Sequence, residues 1–237
     1  MNRWRVSRMG FVNFWLYDQE TFLFANGKLL LRGPNASGKS ITTQSFIPFI
    51  LDGNKSPDRL DPFGSKDRKM DYYLLGNNDK EDSTGYLFME FKREKSDQYI
   101  TIGIGLRAQR GKPMSFWGFA LTDGRRIGYD IQLYREVGDQ NIPLLKQELK
   151  NVIGDKGRFT DSIGEYMDMV NQLVFKFARL DEYDQFIRLL IKVRAPKLSR
   201  DMKPSLIYSV LNDSLQTLSD EDLRAMIDAM EKLDDMA

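Results

Sequence analysis

The chain contains 237 residues, of which 41% are hydrophobic and 29% are charged, so it is long enough to bury one substantial core. It has no cysteine and no histidine, which excludes disulfides, thiolate nucleophiles, cysteine-type zinc sites and the usual general base of catalysis. The net charge is only +1, so any contact with nucleic acid must come from a local basic patch.

The amino-terminal region predicts strands. Trp4 to Leu16 is rich in aromatic and β-branched residues, Thr21 to Phe24 is a shorter run of the same kind, and Asn26-Gly27 is a favoured hairpin turn. Lys28 to Arg32 then predicts a third strand. Because its three leucines are consecutive rather than alternating with polar residues, we expect this strand to be buried on both faces.

A helix and a long loop are predicted next. Ser40 to Leu51 has helical character and stops at the turn signal Asp52-Gly53-Asn54. Lys55 to Glu81 is polar, charged and interrupted by proline and glycine, which predicts a long surface loop with one short helix at Lys69 to Leu75.

The middle of the chain predicts an antiparallel sheet of four or five strands. From Ile100 to Arg107, large apolar residues alternate with small or polar ones, which is typical of a strand with one apolar face. Tyr86 to Phe91 and Met114 to Leu121 predict neighbouring strands. Asp123-Gly124 predicts a turn into a further pair that ends near Ile131.

Beyond Pro143 the hydrophobic spacing becomes helical. The predicted helices are Leu144 to Val152, Ser162 to Val170, Tyr183 to Val193 and Pro204 to Leu215. Ser219 is a good N-cap for a last helix, whose heptad-like stripe consists of Leu223, Met226, Met230, Leu233 and Ala237. This stripe fits the start of a coiled coil or an amphipathic helix packed on its own domain. We therefore predict a domain at 1–218 and a terminal helix at 219–237, and the unfinished pattern suggests a piece of a longer protein.

One motif carries chemistry. Residues 33–40, Gly-Pro-Asn-Ala-Ser-Gly-Lys-Ser, satisfy the P-loop pattern G-x-x-x-x-G-K-[ST] between a predicted strand and a predicted helix. Such a loop turns backbone N–H groups toward a triphosphate, while Lys39 reaches the β- and γ-phosphates and the Ser40 hydroxyl ligates Mg²⁺. The predicted ligands are ATP, or alternatively GTP, and Mg²⁺. The predicted cofactor-binding residues are Gly33, Pro34, Asn35, Ala36, Ser37, Gly38, Lys39, Ser40 and Ile41.

Two weaker patterns have simpler interpretations. Residues 103–108 match the dinucleotide pattern G-x-G-x-x-A, but they lie within the alternating strand and no helix is predicted after them. Residues 49–52, Phe-Ile-Leu-Asp, resemble an acidic Mg²⁺-binding strand, yet they follow the P-loop directly and are better explained as the end of its helix. Since neither a second acidic site nor a Leu-Ser-Gly-Gly signature is found, we do not expect this chain to hydrolyse ATP alone.

No stretch predicts a membrane span. The longest apolar runs, Phe46 to Leu51 and Val170 to Phe177, are far shorter than the ~20 residues that a spanning helix needs, and the N-terminus lacks the apolar core of a signal peptide. The expected location is the cytoplasm.

Several motifs together resemble the amino-terminal half of SMC-type ATPase heads, the group that includes MukB and the DNA-repair ATPases with split ABC heads. They are the strand Gly10-Phe11-Val12-Asn13-Phe14, an apolar strand, and Gly-Pro-Asn-x-Ser-Gly-Lys-Ser. Residues 30–40, 51–54 and 61–65 are similar to the JetC family of SMC-like subunits in Wadjet anti-plasmid systems. Ala36 departs from the pattern, where glycine is commoner.

The resemblance implies a fold, an activity and partners. It implies an α/β P-loop head lobe of ABC/SMC type with a mixed and antiparallel sheet and a helical C-terminal part that leads into a coiled coil. The signature and acidic motifs would lie in a C-terminal lobe of the same protein. ATP would drive dimerisation with a second SMC-like head, together with kleisin-like and accessory subunits, and the complex would extrude DNA loops.

The resemblance also implies a glutamine that contacts Mg²⁺ and the attacking water. Gln185 takes this catalytic and metal-binding role by its order along the chain, whereas a glutamine on a helix surface is the alternative interpretation. DNA could be contacted by the loop cations Lys66, Arg68 and Lys69. Other basic clusters comprise Lys192, Arg194, Lys197, Arg200 and Lys203, and Arg107, Arg110 and Lys112, and solvated surface charge is the alternative for all of them.

Two other classes of function stay open. A P-loop kinase would transfer phosphate to a small molecule and would raise ATP turnover when its acceptor is present. A structural module with a degenerate P-loop would bind no nucleotide. Titration with nucleotide distinguishes the last class from the others.

Overall fold

A six-stranded antiparallel sheet organises the part of the chain that the computed structural model describes, residues 3–34, 46–56, 70–76 and 80–194. The described strands are β1 Trp4–Phe14, β2 Tyr17–Leu23, β3 Asp82–Arg93, β4 Tyr99–Gln109, β5 Ser115–Leu121, β6 Tyr134–Val137, β7 Gln140–Pro143 and β8 Gly157–Thr160. In the sheet they run in the order β2-β1-β3-β4-β5-β8, and β6 and β7 form a separate hairpin.

Helices accompany the sheet, so the described fold is mixed α/β. They are α1 Phe46–Asp52, α2 Tyr72–Leu75, α3 Lys146–Ile153, α4 Ile163–Val170 and α5 Leu180–Arg194, with a 3₁₀ turn at Gly154–Lys156 and a π-turn at Asn171–Phe175. One face of the sheet packs against α1, α2, α4 and α5. The other face is covered by residues 127–153, which contribute Ile127, Leu133 and Leu149 to a second core.

Covering both faces explains the glycines of β4. A Cβ on Gly103 would lie 2.2 Å from the Phe119 ring, and one on Gly105 would lie 2.1 Å from the Trp117 indole. The small residues therefore make room for aromatic rings from β5. Since β4 continues to Gln109 and is followed by β5, the strand interpretation of residues 103–108 is confirmed and the dinucleotide pattern is a coincidence.

Many predicted elements are confirmed within one to four residues. Strands occur at the predicted places in β1 to β5, and α3, α4 and α5 match the predicted helices at 144–152, 162–170 and 183–193. The Asn26-Gly27 turn is closed by two backbone hydrogen bonds between Ala25 and Lys28. The predicted helices at Pro204 to Leu215 and 219–237, and most of the loop at 55–81, lie outside the described residues.

Two predicted elements are wrong. Lys28 to Arg32 is not a strand beyond one isolated bridge at Lys28, and Leu30 is 75% exposed rather than buried. A run of leucines establishes apolar character but does not provide a pairing partner. Between Asp123-Gly124 and Ile131 the chain forms no strand pair, since only an isolated bridge joins Ile127 to Ile131, and Arg125 and Arg126 are held there by side-chain hydrogen bonds. The next strand pair, β6 and β7, begins only at Tyr134.

The sheet also buries a charge cluster that the sequence did not reveal. Glu90, with no exposed surface, receives paired hydrogen bonds from Arg8 and from Arg126. Burial raises the pKa of Glu90, but the hydrogen bonds and charges of Arg126 and Arg8 outweigh it and hold the pKa below its usual value. The cluster links β1 and β3 to the segment that covers the sheet.

Candidate nucleotide-binding site

The structure describes the two ends of the region that contains the P-loop. Gly33 and Pro34 are exposed at the end of the amino-terminal segment. The predicted ligands Asn35, Ala36, Ser37, Gly38, Lys39, Ser40 and Ile41 lie outside the described residues. The candidate site is therefore defined by its sequence motif and by α1, the first described helix after that motif.

The visible start of α1 is fixed by aromatic packing. Phe46 is fully buried, and its ring centroid lies 5.4, 5.1 and 5.5 Å from those of Phe11, Phe14 and Tyr73. Phe49 is also fully buried. Side chains from β1 and α2 thus hold this helix against the sheet by the burial of large apolar surfaces.

Two tyrosine hydroxyls hold the other end of α1. Tyr166 of α4 donates to the carbonyl of Ile50 at 2.6 Å, and Tyr183 of α5 donates to the carbonyl of Leu51 at 2.9 Å. These are carbonyls of the last helical turn, which have no partner within the helix. Burial raises the pKa of both hydroxyls, so both tyrosines stay protonated donors throughout the physiological range.

The chain leaves α1 through a tight turn. Gly53 has φ +68°, and its N–H donates to the carbonyl of Phe49 at 2.8 Å. A Cβ at this position would come within 3.0 Å of the Phe116 ring, so only glycine fits. The Asp52 carboxylate then accepts from the N–H of Asn54 at 2.9 Å. The interpretation of residues 49–52 as a helix end is confirmed, because α1 ends at Asp52.

No cluster of three or more metal-ligating side chains occurs in the part of the chain that is described. The Ser40 hydroxyl, the predicted Mg²⁺ ligand, is outside that part.

Gln185 lies on the exposed side of α5. The buried side of the same helix presents Tyr183 and Ile187, which pack into the core. The structure does not bring Gln185 together with Gly33 and Pro34 in any described contact, so its catalytic role stays a prediction.

The basic clusters are only partly described. Lys66, Arg68 and Lys69 lie outside the described residues. Arg107 is hydrogen-bonded to Asp82 at 2.9 Å through Nε, and Arg110 forms an ion pair with Glu81 at 2.8 Å. Arg107 and Arg110 are therefore paired with carboxylates, which favours the surface-charge interpretation for these two cations.

The two tyrosines were not predicted as part of the site. Both occupy core positions of amphipathic helices. The Tyr166 hydroxyl bonds to Ile50, which lies 116 positions earlier in the chain, and the Tyr183 hydroxyl bonds to Leu51, which lies 132 positions earlier. A tyrosine on an apolar stripe gives one usable signal, since a buried hydroxyl needs a hydrogen-bond partner. The identity of that partner depends on the tertiary fold.

None of the helices among the described residues is both long and apolar enough to cross a membrane. Comparison with models of known protein families and with curated protein sequences finds no match for this chain.

Proposed function

We propose that this chain is the ATP-binding amino-terminal head lobe of an SMC-like ATPase that acts on DNA. The complete P-loop motif at 33–40 is the observation that carries the proposal. The mixed α/β fold and the buried position of α1, the first described helix after the motif, support it.

The anchoring of α1 suits a phosphate-binding helix. Binding a triphosphate requires the N–H groups at the start of the helix to keep their position against a strongly charged ligand. The described part of α1 is fixed by Phe46 at one end and by the hydroxyls of Tyr166 and Tyr183 at the other. If the helix starts at Ser40, as the sequence predicts, its first amides are supported by this rigid base.

The proposed chemistry divides between this chain and its partners. Backbone N–H groups of the loop at 33–40, in which only Pro34 has none, bind the phosphates. Lys39 neutralises the β- and γ-phosphates, and Ser40 contributes a hydroxyl to Mg²⁺. Hydrolysis requires the signature and acidic motifs of a C-terminal lobe and a second head, with Gln185 assisting the attacking water.

The biological setting that we propose is cytoplasmic. Kleisin-like and accessory subunits would join two heads, the assembly would extrude DNA loops, and the anti-plasmid role of the JetC family of SMC-like subunits would apply. The similarity of residues 30–40, 51–54 and 61–65 to that family supports this setting.

Calorimetric titration with Mg·ATP tests the proposal. We expect saturable binding by the native chain and its loss in Lys39→Ala, because the lysine offsets the charge of the triphosphate. Lys28→Ala is the matched control, since it removes an exposed lysine outside the motif. Equal affinity in the native chain and Lys39→Ala would contradict the proposal.

A further inference from the structure

The last strand of the sheet has an open outer edge. β8, Gly157–Thr160, stands at the end of the strand order and pairs with β5 on one side. No other strand in the described part of the chain pairs with its outer side. Backbone N–H and C=O groups of alternate residues point to each side of an antiparallel strand, so this edge can form hydrogen bonds with a further strand.

A groove of about 390 Å³ lies along this edge, between β8 and α4. Its described lining comes from β8, α4 and the π-turn, namely Arg158, Phe159, Thr160, Glu165, Asp168, Met169 and Gln172. Arg158, Glu165 and Gln172 are exposed, so the groove is open to solvent. An exposed sheet edge with room for alternate side chains is the arrangement in which proteins bind an extended peptide as an added strand.

Alternate side chains of β8 lie on different sides of the sheet. Thr160 donates a hydrogen bond to the Glu165 carboxylate. Arg158 donates to the side-chain oxygen of Gln172 at 3.4 Å, so it also lies on the side of α4. Phe159 packs against the second core, on the opposite side. A strand paired with β8 would alternate in the same way, with one set of side chains toward α4 and the other beside Phe159.

The side of the groove formed by α4 is acidic. Its described lining contains two carboxylates, Glu165 and Asp168, against one guanidinium, Arg158, which gives a net charge of −1. Glu165 accepts from the Thr160 hydroxyl, and Asp168 accepts from the Gln172 amide at 2.6 Å. Neither carboxylate forms an ion pair with a described residue. Two carboxylates that lack a cation favour a basic occupant.

We propose that β8 binds an extended segment of a partner protein in which lysine or arginine alternates with β-branched apolar residues. The segment adds a strand to the sheet through backbone hydrogen bonds. Its basic side chains face Glu165 and Asp168, and its apolar side chains contact Phe159. Gly33 and Pro34, the described residues of the P-loop, do not line the groove, so this interaction is separate from nucleotide binding.

The spacing of the two carboxylates suits such a strand. Glu165 and Asp168 are three positions apart on α4, so their Cβ atoms are neighbours at about 5–6 Å on one face of the helix. Side chains on one face of a strand repeat every two residues, about 6.6 Å apart. Two successive basic residues on the face toward α4 can therefore each reach one carboxylate.

The lining argues against other occupants. The phosphates of a nucleic acid would be repelled by Glu165 and Asp168. A metal ion would find no group of three ligating side chains among the described residues. A second copy of this chain, paired through its own β8, would bring the same acidic groove against this one, and like charges oppose that contact.

Binding of designed peptides tests the proposal. The two probes have about seven residues, or ~23 Å when extended, and alternate valine with lysine in one and with glutamate in the other. We expect the lysine peptide to bind the native chain about tenfold or more tightly than the glutamate peptide, and added salt should reduce this preference. Amide NMR signals of residues 157–160 should shift when the lysine peptide binds.

Two methylated forms of the lysine peptide test the backbone pairing. N-methyl groups on every second residue block one edge of the extended peptide, and the same number on the intervening residues blocks the other edge. Only one edge pairs with β8. One form should therefore bind like the parent peptide, whereas the other should bind about tenfold or more weakly.

Removal of the two charges provides the decisive comparison. Glu165→Gln/Asp168→Asn keeps oxygen acceptors at both positions and should weaken the lysine peptide at least ~threefold. Asp168→Asn alone, outside the first turn of α4, should weaken it in the same direction. Glu136→Gln/Asp139→Asn is the matched control, because it makes the same changes at exposed positions of the β6 and β7 hairpin. It should leave the affinity unchanged.

Several results would overturn the proposal. They are equal binding of the lysine and glutamate peptides, no binding of either, equal binding of the two methylated forms, or NMR shifts confined to other surfaces. An unchanged affinity in the folded Asp168→Asn variant, or an equal loss in the control, would also contradict it. Self-association of the chain that shifts the signals of residues 157–160 without peptide would show that a second copy occupies the edge instead.

Discussion

At the scale of single residues, the hydroxyls of Tyr166 and Tyr183 make the most specific contribution to the candidate site. Each satisfies a carbonyl at the end of α1 that would otherwise be buried without a partner. Their aromatic rings also fill the core between α1, α4 and α5. A tyrosine-to-phenylalanine change separates the two contributions, because it keeps the ring and removes only the hydroxyl.

Tyr166→Phe should lower the free energy of unfolding by about 1–2 kcal/mol, since the Ile50 carbonyl loses its buried donor. Urea unfolding monitored by circular dichroism measures this loss. Tyr129→Phe, at a position that is 68% exposed, is the control and should change stability by less than about 0.5 kcal/mol. An equal effect of the two changes would show that the hydroxyl of Tyr166 does not hold α1.

Glu90 makes stability depend on pH. Its pKa is lower in the folded protein than in the unfolded chain, so its contribution is present above the unfolded pKa, about 4.3, and is lost as the pH falls through the folded value. Glu90→Gln leaves Arg8 and Arg126 without their carboxylate and should cost about 3–5 kcal/mol at pH 7.

The same variant should lose less stability than the native chain between pH 5 and pH 3, because the titrating carboxylate is gone. Denaturant unfolding at a series of pH values measures this slope. An acid slope as steep in Glu90→Gln as in the native chain would contradict the assignment.

At the scale of elements, the π-turn between α4 and α5 determines how Tyr183 approaches α1. Asn171 closes it by donating to the carbonyl of Phe177 at 3.1 Å and accepting from the N–H of Phe177 at 2.9 Å. Lys176, the residue that follows the turn, has φ +62°. A residue with both a donor and an acceptor is needed here, and asparagine supplies both.

Asn171→Ala removes both hydrogen bonds and should cost about 1–3 kcal/mol in thermal or urea unfolding. Gln172→Ala is the neighbouring control, since the two hydrogen bonds that it removes, one to Asp168 and one from Arg158, are exposed, and it should cost less than about 0.5 kcal/mol. Indistinguishable stabilities of the two variants would mean that the turn does not depend on the asparagine side chain.

Local patterns explain which elements could be predicted from the sequence. β4 and α4 have strong periodicity over eight or more residues, and a capping serine precedes α4, so both were found. The hairpin of β6 and β7 and strand β8 were missed, because strands of four residues are too short to show alternation. Lys28 to Arg32 was wrongly assigned, since pairing depends on neighbours that a single segment does not specify.

In the candidate site, too, a local motif can be recognised in the sequence, whereas contacts between distant segments cannot. The P-loop is a contiguous motif with a defined chemistry, so the sequence alone predicts its residues and ligands, and these stay a prediction. The contacts of Tyr166 and Tyr183 with α1 join segments that are 116 and 132 residues apart, and the Glu90 cluster joins three separate segments. Such contacts depend on the packing of the whole sheet.

At the scale of the whole molecule, the described residues combine a helix-covered face of the sheet with a second face covered by residues 127–153. α1 is held on the first face. We propose that the P-loop, which precedes α1 in the chain, binds nucleotide.

A crystal structure determined with Mg²⁺ and a non-hydrolysable ATP analogue would show whether the P-loop binds nucleotide. We expect a triphosphate enclosed by the backbone N–H groups of the loop at 33–40, with the Lys39 ammonium on the phosphates and the Ser40 hydroxyl on Mg²⁺. A triphosphate bound elsewhere, or a P-loop filled by its own side chains under saturating nucleotide, would contradict it.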